Sequence, residues 1–295
     1  MLGRGFVERY LELSGEKESI LCVGLDPAVE GMRERYLVPK PLLDRYGLRE
    51  GVKRFCLDIV EAVAPSTPII KPNAQYVTYL LALEDLRELV EAIHEANCLA
   101  LLDAKLSDIA STNRAALHWI EAAGFDAVTF SPYPGYEGGC DAIYQWAHRG
   151  DRGIFALCRM SNPGARDIQT LVVEGEPLYL RVAREGRRRG ANGFVVGCTA
   201  VEELGQVRAV VGEDPLILSP GLGPQGGDPA AAVRLGSNSR GEGLLVASSR
   251  SIDYAYETLD WSWERYAEAA AKEAQRKRDE LNRLRAIAFH RSLRG

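Results

Sequence analysis

The sequence predicts one α/β domain, a (β/α)8 barrel with a C-terminal helical extension. Eight short apolar runs recur along the 295 residues and alternate with helix-compatible segments, the pattern of a parallel sheet with crossover helices. No antiparallel hairpin signal interrupts them. No G-x-G-x-x-G follows the first apolar run, which weighs against an open, doubly wound dinucleotide-binding sheet. The expected division is a barrel over residues 1–261 and a helical extension over 262–295, packing on the barrel or on a second copy of the chain.

Taken in order, an amphipathic helix covers Gly5 to Leu13, and Ile20-Leu-Cys-Val-Gly-Leu25 is the first buried strand, ending in Asp26-Pro27. Polar, proline-bearing sequence from Ala28 to Leu48 reads as loop with irregular helix. Helical periodicity over Val52 to Val63 is punctuated by Pro65 and Pro68. Ile69-Ile70 is a short strand running into Lys71-Pro72-Asn73. Leu83, Leu86, Leu89, Val90 and Ile93 make the stripe of a helix over Leu81 to Ala96. Cys98-Leu-Ala-Leu-Leu102 is the third strand, followed by a helix over Ala115 to Ala123. Asp126–Phe130 and Gly153–Cys158 are the fourth and fifth strands, the latter ending in Arg159-Met-Ser-Asn-Pro-Gly164. Leu178 to Arg189 is helical, its arginine-rich end complementing the helix dipole. Gly193–Gly197, Leu216–Ser219 and Gly243–Ala247 complete the eight. From Trp261 to Leu293 the chain is a long charged helical segment, in which Leu281, Leu284 and Ile287 favour packing over a role for its basic residues.

Composition narrows the function classes. An apolar fraction of 46% suits a full-sized core, and a formal charge of −5 argues against a general nucleic-acid binder. No apolar run is long enough to span a bilayer, and the first residues lack a signal peptide's apolar stretch. The six cysteines form no C-x-x-C pair and several fall inside strands, as small core residues in a reducing compartment do; a cytoplasmic protein is expected. The four histidines show no ligand spacing, so no metal site is expected.

In a barrel of this kind, chemistry gathers at the C-terminal strand ends. Those ends supply Asp26, Lys71, Asp103 with Lys105, the Ser161 turn, the loop Pro220-Gly-Leu-Gly-Pro-Gln-Gly-Gly227, and Arg250. Random surface polarity would scatter over both ends. Within Asp103-Ala-Lys105-Leu-Ser-Asp108, residues two apart on a strand share a face, so Asp103 and Lys105 point the same way. Asp108 lies beyond the strand end, where a loop can return a second carboxylate to the same point. Two carboxylates about one ammonium are expensive to assemble unless chemistry needs them, although a solvated salt-bridged turn is the ordinary alternative. The glycine loop can aim backbone N–H groups at an anion, Gln225 adds a side-chain donor, and Arg250 can clamp phosphate bidentately. Asp26 and Lys71 suit sugar hydroxyls, with N-cap and snorkelling roles as their ordinary readings.

Asp103-Ala-Lys105-Leu-Ser-Asp108-Ile resembles the D-x-K-x-x-D-I signature of the orotidine 5'-phosphate decarboxylases. Gly24-Leu-Asp26-Pro, Lys71-Pro-Asn, Met160-Ser-Asn-Pro-Gly164, the glycine loop and Ser249-Arg250 follow that family's order, most closely that of its longer bacterial-type subgroup. Ile109-Ala-Ser-Thr112 departs from the usual Ile-Pro-Asn-Thr but keeps the threonine, and residues 262–295 lie outside the shared motifs. The resemblance implies decarboxylation of orotidine 5'-phosphate to UMP, the last step of pyrimidine nucleotide synthesis, without a cofactor. It implies that Lys105 protonates the C6 carbanion and that Asp103 stands beside the substrate carboxylate while holding Lys105. It further implies that Lys71 and Asp26 contact the ribose, Ser161 the pyrimidine, and Gly223, Gln225 and Arg250 the phosphate end. It also implies a homodimer in which Asp108 and Thr112 reach the neighbouring site. Two alternatives remain: a metal-dependent sugar-phosphate enzyme of the same superfamily, disfavoured by Lys71 at the second strand end, and a non-catalytic nucleotide-phosphate sensor, disfavoured by the complete charged set.

Overall fold

A computed structural model describes residues 5–221 and 227–289. Eight parallel strands close into one barrel: β1 (Leu21–Leu25), β2 (Ile69–Pro72), β3 (Leu99–Leu106), β4 (Ala127–Phe130), β5 (Gly153–Arg159), β6 (Gly193–Val196), β7 (Leu216–Pro220) and β8 (Leu244–Ser248). Each pairs with its neighbours in sequence, and β8 returns to β1. The main helices are α1 (Phe6–Glu16), α2 (Leu48–Val63), α3 (Leu83–Glu95), α4 (Ala110–Ala123), α5 (Asp141–Arg149), α6 (Leu178–Arg188), α7 (Val201–Val211), α8 (Pro229–Gly236) and α9 (Tyr266–Ala288).

The barrel is the one the sequence predicts, although α5, α7 and α8 form where it names no helix, and three further local differences stand out. β3 continues to Leu106, past the apolar run, because Asp103 and Lys105 stay in the sheet as polar members of the strand. Helix α4 starts at Ala110 rather than Ala115, its first turn being polar and so invisible to apolar periodicity. An antiparallel pair that the sequence did not lead us to expect joins Val172–Val173 to Glu176–Pro177. Its turn places both Glu174 and Gly175 at positive φ, 53° and 88°. That backbone normally advertises itself as Asn-Gly or Asp-Gly, and glutamate hides it.

Period-two alternation sorts the strand side chains between two cores. Cys22, Ile69, Leu99, Leu101, Ala127, Phe155, Leu216, Leu218 and Leu245 pack together inside the barrel. Their sequence neighbours, such as Val23, Ile70, Ala100, Leu102, Val128, Ile217 and Val246, join the layer against the helices. Helix α1 closes the N-terminal mouth. Phe6 and Tyr10 belong to the inner cluster, Phe6 meets Phe155 edge to face at 5.9 Å, and the Tyr10 hydroxyl donates to the Leu244 carbonyl at 3.1 Å. Gly153 is required there, since a Cβ would lie 2.6 Å from the Phe6 ring.

Two further devices fasten that end. The buried Arg208 guanidinium donates to the carbonyls of Gly212, Pro215, Gly236 and Gly243 at 2.8–2.9 Å, tying α7 and α8 to the starts of β7 and β8. Helix α9 lies between α2 and α8 and completes the helical ring. It buries Tyr266, Ala269, Ala270, Ala274, Lys277 and Leu281, whereas Ile287 is exposed. All six cysteines are buried and free. No helix among the described residues is long and apolar enough to cross a membrane. With the bottom thus sealed, the opposite mouth is where the polar residues collect.

Truncating the plug should be felt throughout the barrel. Phe6→Ala is expected to cost about 3–5 kcal/mol, the range for a fully buried aromatic ring. Urea unfolding should show it as a lower midpoint with an unchanged slope. A loss under about 1 kcal/mol would mean that α1 is peripheral to the core.

Candidate active site

The inward alternation that fills the barrel with apolar side chains delivers the polar ones at its C-terminal mouth. Cys22 and Gly24 lead to Asp26, Ile69 to Lys71, Leu99 and Leu101 to Asp103, and Ala127 to Thr129. Strand register aligns them: Gly24 pairs with Lys71, Asn73 bridges Asp103, Ala247 pairs with Pro220, and Val23 with Ser248.

Asp103 is the centre. Its Oδ2 accepts from Lys71 Nζ at 2.7 Å, and its Oδ1 accepts from the Thr129 hydroxyl at 2.8 Å and pairs with Lys105 Nζ at 2.7 Å. The same Thr129 oxygen accepts the Lys105 backbone N–H at 3.0 Å. Burial alone would push the Asp103 carboxyl up, but Lys71 and Lys105 outweigh it and hold it well below the usual carboxylate range. Burial likewise works against the Lys71 ammonium, yet Asp103 and then Asp26 raise it above the ordinary lysine range. One buried carboxylate therefore sits between two ammonium groups.

Within a single chain, the second expected carboxylate does not join this cluster. Asp108 is exposed, accepts the Ile109 backbone N–H at 2.7 Å, and makes no ion pair with Lys105 among the described residues. Thr112, in the first turn of α4, is exposed as well. The deeply buried lysine is Lys71, at 5% exposure, while the Lys105 side chain is 37% exposed. Simple alternation does not carry Lys105 to Asp103 either. The β3–β4 register shifts between Leu102 and Leu106, and Lys105 adopts a φ of +49°, a left-handed conformation that costs a non-glycine residue about 1–2 kcal/mol. The bulge re-aims the side chain.

A cavity of about 180 Å³ opens beside this cluster. Asp26, Lys71, Asp103, Ser161, Gly221 and Arg250 line it, so the sequence-predicted residues from six strand ends converge. Two glycines make the convergence possible. A Cβ at Gly24 would lie 1.9 Å from the Ser249 hydroxyl, and one at Gly197 would lie 2.8 Å from Ser161. Gly223 and Gln225 lie outside the described residues. Ser248, Ser249 and Ser251 add hydroxyls around Arg250, giving that corner the donors an anion needs.

Several participants escape motif reading. Thr129 is a lone hydroxyl in an otherwise apolar strand, and its inward phase is the signal that could have found it. Arg33 Nη2 donates to Asp26 Oδ2 at 3.3 Å while its Nε reaches the Tyr76 hydroxyl at 3.0 Å; it comes from an irregular loop where no periodicity points anywhere. Asp253 is fully buried and accepts the Asp26 backbone N–H at 3.1 Å.

The arrangement can grip an anion at the β7–β8 corner, hydrogen-bond a polyol at Asp26 and Lys71, and hold an ammonium against whatever lies over Asp103. Among the described residues no three His, Cys, Asp or Glu side chains group to hold a metal ion.

Comparison with known proteins places this geometry. Residues 19–258 match the orotidine 5'-phosphate decarboxylase / HUMPS family. The chain is 38% identical over 287 residues to the orotidine 5'-phosphate decarboxylase of Cupriavidus necator, covering 95% of this chain and 98% of that one. It is 37% identical to that of Ralstonia pickettii over 95% and 99%. Among solved structures, the OMP decarboxylase of Leishmania donovani superposes with a TM-score of 0.75 at 28% identity, over 96% of this chain and 99% of that one. A structure from Toxoplasma gondii assigned to the same enzyme reaches 0.81 at 28% identity, over 97% and 99%. This chain belongs to the orotidine 5'-phosphate decarboxylase / HUMPS family.

Proposed function

We propose that the protein decarboxylates orotidine 5'-phosphate to UMP, the last step of pyrimidine nucleotide synthesis, with no cofactor. The observation that carries this reading is the Lys71–Asp103–Lys105 cluster at the mouth of the barrel, opening on the Arg250 corner. Arg250, with Gly223 and Gln225 of the preceding loop, holds the 5'-phosphate. Lys71 and Asp26 take the ribose hydroxyls, and Ser161 the pyrimidine. Anchoring phosphate and ribose fixes the reacting carbon over Asp103 and Lys105, so binding energy remote from the reaction orients it.

The C6–carboxylate bond breaks, the carboxylate leaves as carbon dioxide, and the bonding electron pair remains on C6. Lys105 Nζ delivers its proton to that carbon and later regains one from solvent. Asp103, kept ionised by its two lysines, stands beside the substrate carboxylate. Their repulsion is relieved as neutral carbon dioxide departs, while the approaching ammonium is favoured as charge builds on C6. Lys71 already occupies Asp103 Oδ2, where a metal-dependent sugar-phosphate enzyme would need a cation ligand; this argues against that reading.

The acting unit in this proposal is a homodimer, with the partner subunit's Asp108 and the partner subunit's Thr112 reaching the site. What supports it is the exposure of large apolar side chains, Ile109 beside Asp108 and Trp119 on the same helix as Thr112 among them: Tyr79, Ile109, Trp119 and Tyr133 are 79%, 60%, 58% and 87% exposed. An apolar surface of this kind calls for a partner. Helix α9 serves the barrel's helical ring in this reading, and residues 1–261 carry the chemistry. The free, buried thiols fit a reducing cytoplasm.

Mixing purified protein with orotidine 5'-phosphate in EDTA should consume the substrate's ultraviolet absorbance, and Lys105→Ala should slow turnover by about 10²–10⁴-fold or more. Folded wild type that binds UMP without turnover would favour the sensor; turnover of a sugar phosphate only with Mg²⁺ would favour the metal-dependent relatives. For the shared site, Lys105→Ala and Asp108→Ala homodimers, each nearly inactive, are mixed and allowed to exchange subunits. A heterodimer then carries one intact site, and activity should return to about a quarter of wild type. No recovery after verified exchange would refute a site shared between subunits.

A further inference from the structure

Behind the ribose end of the cavity lies a second carboxyl that the proposed mechanism does not use. Asp253 ends the short helix Arg250–Asp253 and is fully buried. Its Oδ2 accepts the Asp26 backbone N–H at 3.1 Å. The next residue completes the grip: the Tyr254 hydroxyl donates to the Asp26 carbonyl at 2.8 Å and accepts the Ala28 N–H at 2.9 Å. Asp26 is thus held by its backbone from both sides, which leaves its side chain aimed at the cavity and at Arg33.

We propose that Asp253 is a positioning residue: by accepting the Asp26 N–H from behind, it fixes the Asp26 carboxylate in register with the substrate's ribose hydroxyls. The inference rests on the reading of Asp26 as a ribose contact. Asp253 performs this task as the neutral acid. Its Oδ1 and Asp26 Oδ1 are both buried without a hydrogen-bond donor among the described residues; of the cations nearby, Lys71 bonds Asp103 and Arg33 bonds Asp26 through Nη2, while the buried Arg33 Nη1 makes no bond to Asp253 or to any other acceptor among the described residues. The remaining titratable groups around Asp253 are the buried Cys56 and Tyr254, which supply no positive charge. A fully buried carboxyl facing another carboxylate with no counter-ion of its own keeps its proton. Burial and then Asp26 accordingly push Asp253 well above the usual range. Neutral Asp253 supplies an acceptor without adding a second negative charge to the ribose pocket.

The ordinary alternative is that Asp253 merely shapes the turn that carries Arg250, and a mutant cycle separates the two. UMP affinity is measured by calorimetry for wild type, Asp253→Leu, Asp253→Asn, Asp26→Ala and the double variant Asp26→Ala/Asp253→Leu. Asp253→Leu keeps the branched shape, with bulkier methyl groups in place of the oxygens, removes the acceptor, and should weaken UMP binding about tenfold, with KM rising more than kcat falls. Asp253→Asn, uncharged and able to accept the same bond, should restore affinity to within about twofold of wild type. If Asp253 works through Asp26, the double variant binds no more weakly than Asp26→Ala alone. Additive losses would overturn the positioning role. Asp253→Asn binding UMP about tenfold more weakly than wild type would overturn the neutral acid, and this comparison with wild type decides the matter even where the leucine variant does not fold. Unchanged UMP affinity in Asp26→Ala would instead refute the ribose contact on which the inference stands, a result distinct from normal affinity in Asp253→Leu alone.

Discussion

The mouth of this barrel is organised by one carboxylate held between two ammonium groups. Asp103 offers each of its oxygens to a different lysine, and Thr129 steadies one of them. Taking a carboxylate and an ammonium out of water is costly, and their attraction repays that cost only where geometry and further hydrogen bonds are good. Each charge here compensates another: burial works against the Lys71 ammonium, and Asp103 with Asp26 more than offset it, while the two lysines more than offset the burial that works against the Asp103 carboxylate. Removing Asp103 would leave the buried Lys71 ammonium without its ion-pair partner. The chain spends conformational strain on the same cluster, since Lys105 holds a positive φ that glycine would adopt more easily.

The scaffold makes this affordable by geometry rather than by special residues. Inside-facing positions of parallel strands are apolar as far as the barrel is sealed, and turn polar in phase at its open end. Helix α1 seals the other mouth, so the inner core of Phe6, Tyr10, Leu101 and Phe155 supports the polar layer from below. Glycines at 24 and 197 let neighbouring strand ends approach closely enough for Ser249 and Ser161 to enter the cavity wall. Asp26 is pinned through its backbone by residues 253 and 254, which brings the first and eighth strands together at the ribose end.

Much of this was legible before any coordinates. The eight strands announce themselves as apolar runs, and Asp26, Lys71, Asp103, Ser161 and Arg250 stand at their ends because a barrel collects its chemistry there. What stayed hidden is what depends on backbone detail. A returning loop suggested a second carboxylate at Lys105, but within one chain a bulge in β3 turns the strand and leaves Asp108 exposed, next to the exposed Ile109. Arg33 arrives from a loop with no periodicity, and Asp253 sits in a single helical turn where an aspartate ordinarily reads as solvated. Helix α1 could be predicted as amphipathic, yet nothing in its sequence says that its apolar face is a plug for the barrel.

The central claim, that Asp103 is locked in its ionised form by the two lysines, is tested most directly by carbon-13 NMR of aspartate-labelled protein. The Asp103 carboxyl signal is assigned by its disappearance in Asp103→Asn and followed from pH 7 down to the onset of acid unfolding. It should hold its ionised position through the interval, near pH 4, in which unpaired aspartates take up a proton. Because its pKa is depressed in the folded state, the stability it contributes is present above the ordinary aspartate pKa and fades only as pH falls toward the folded value. A signal that titrates with an ordinary midpoint in the folded protein would contradict the account.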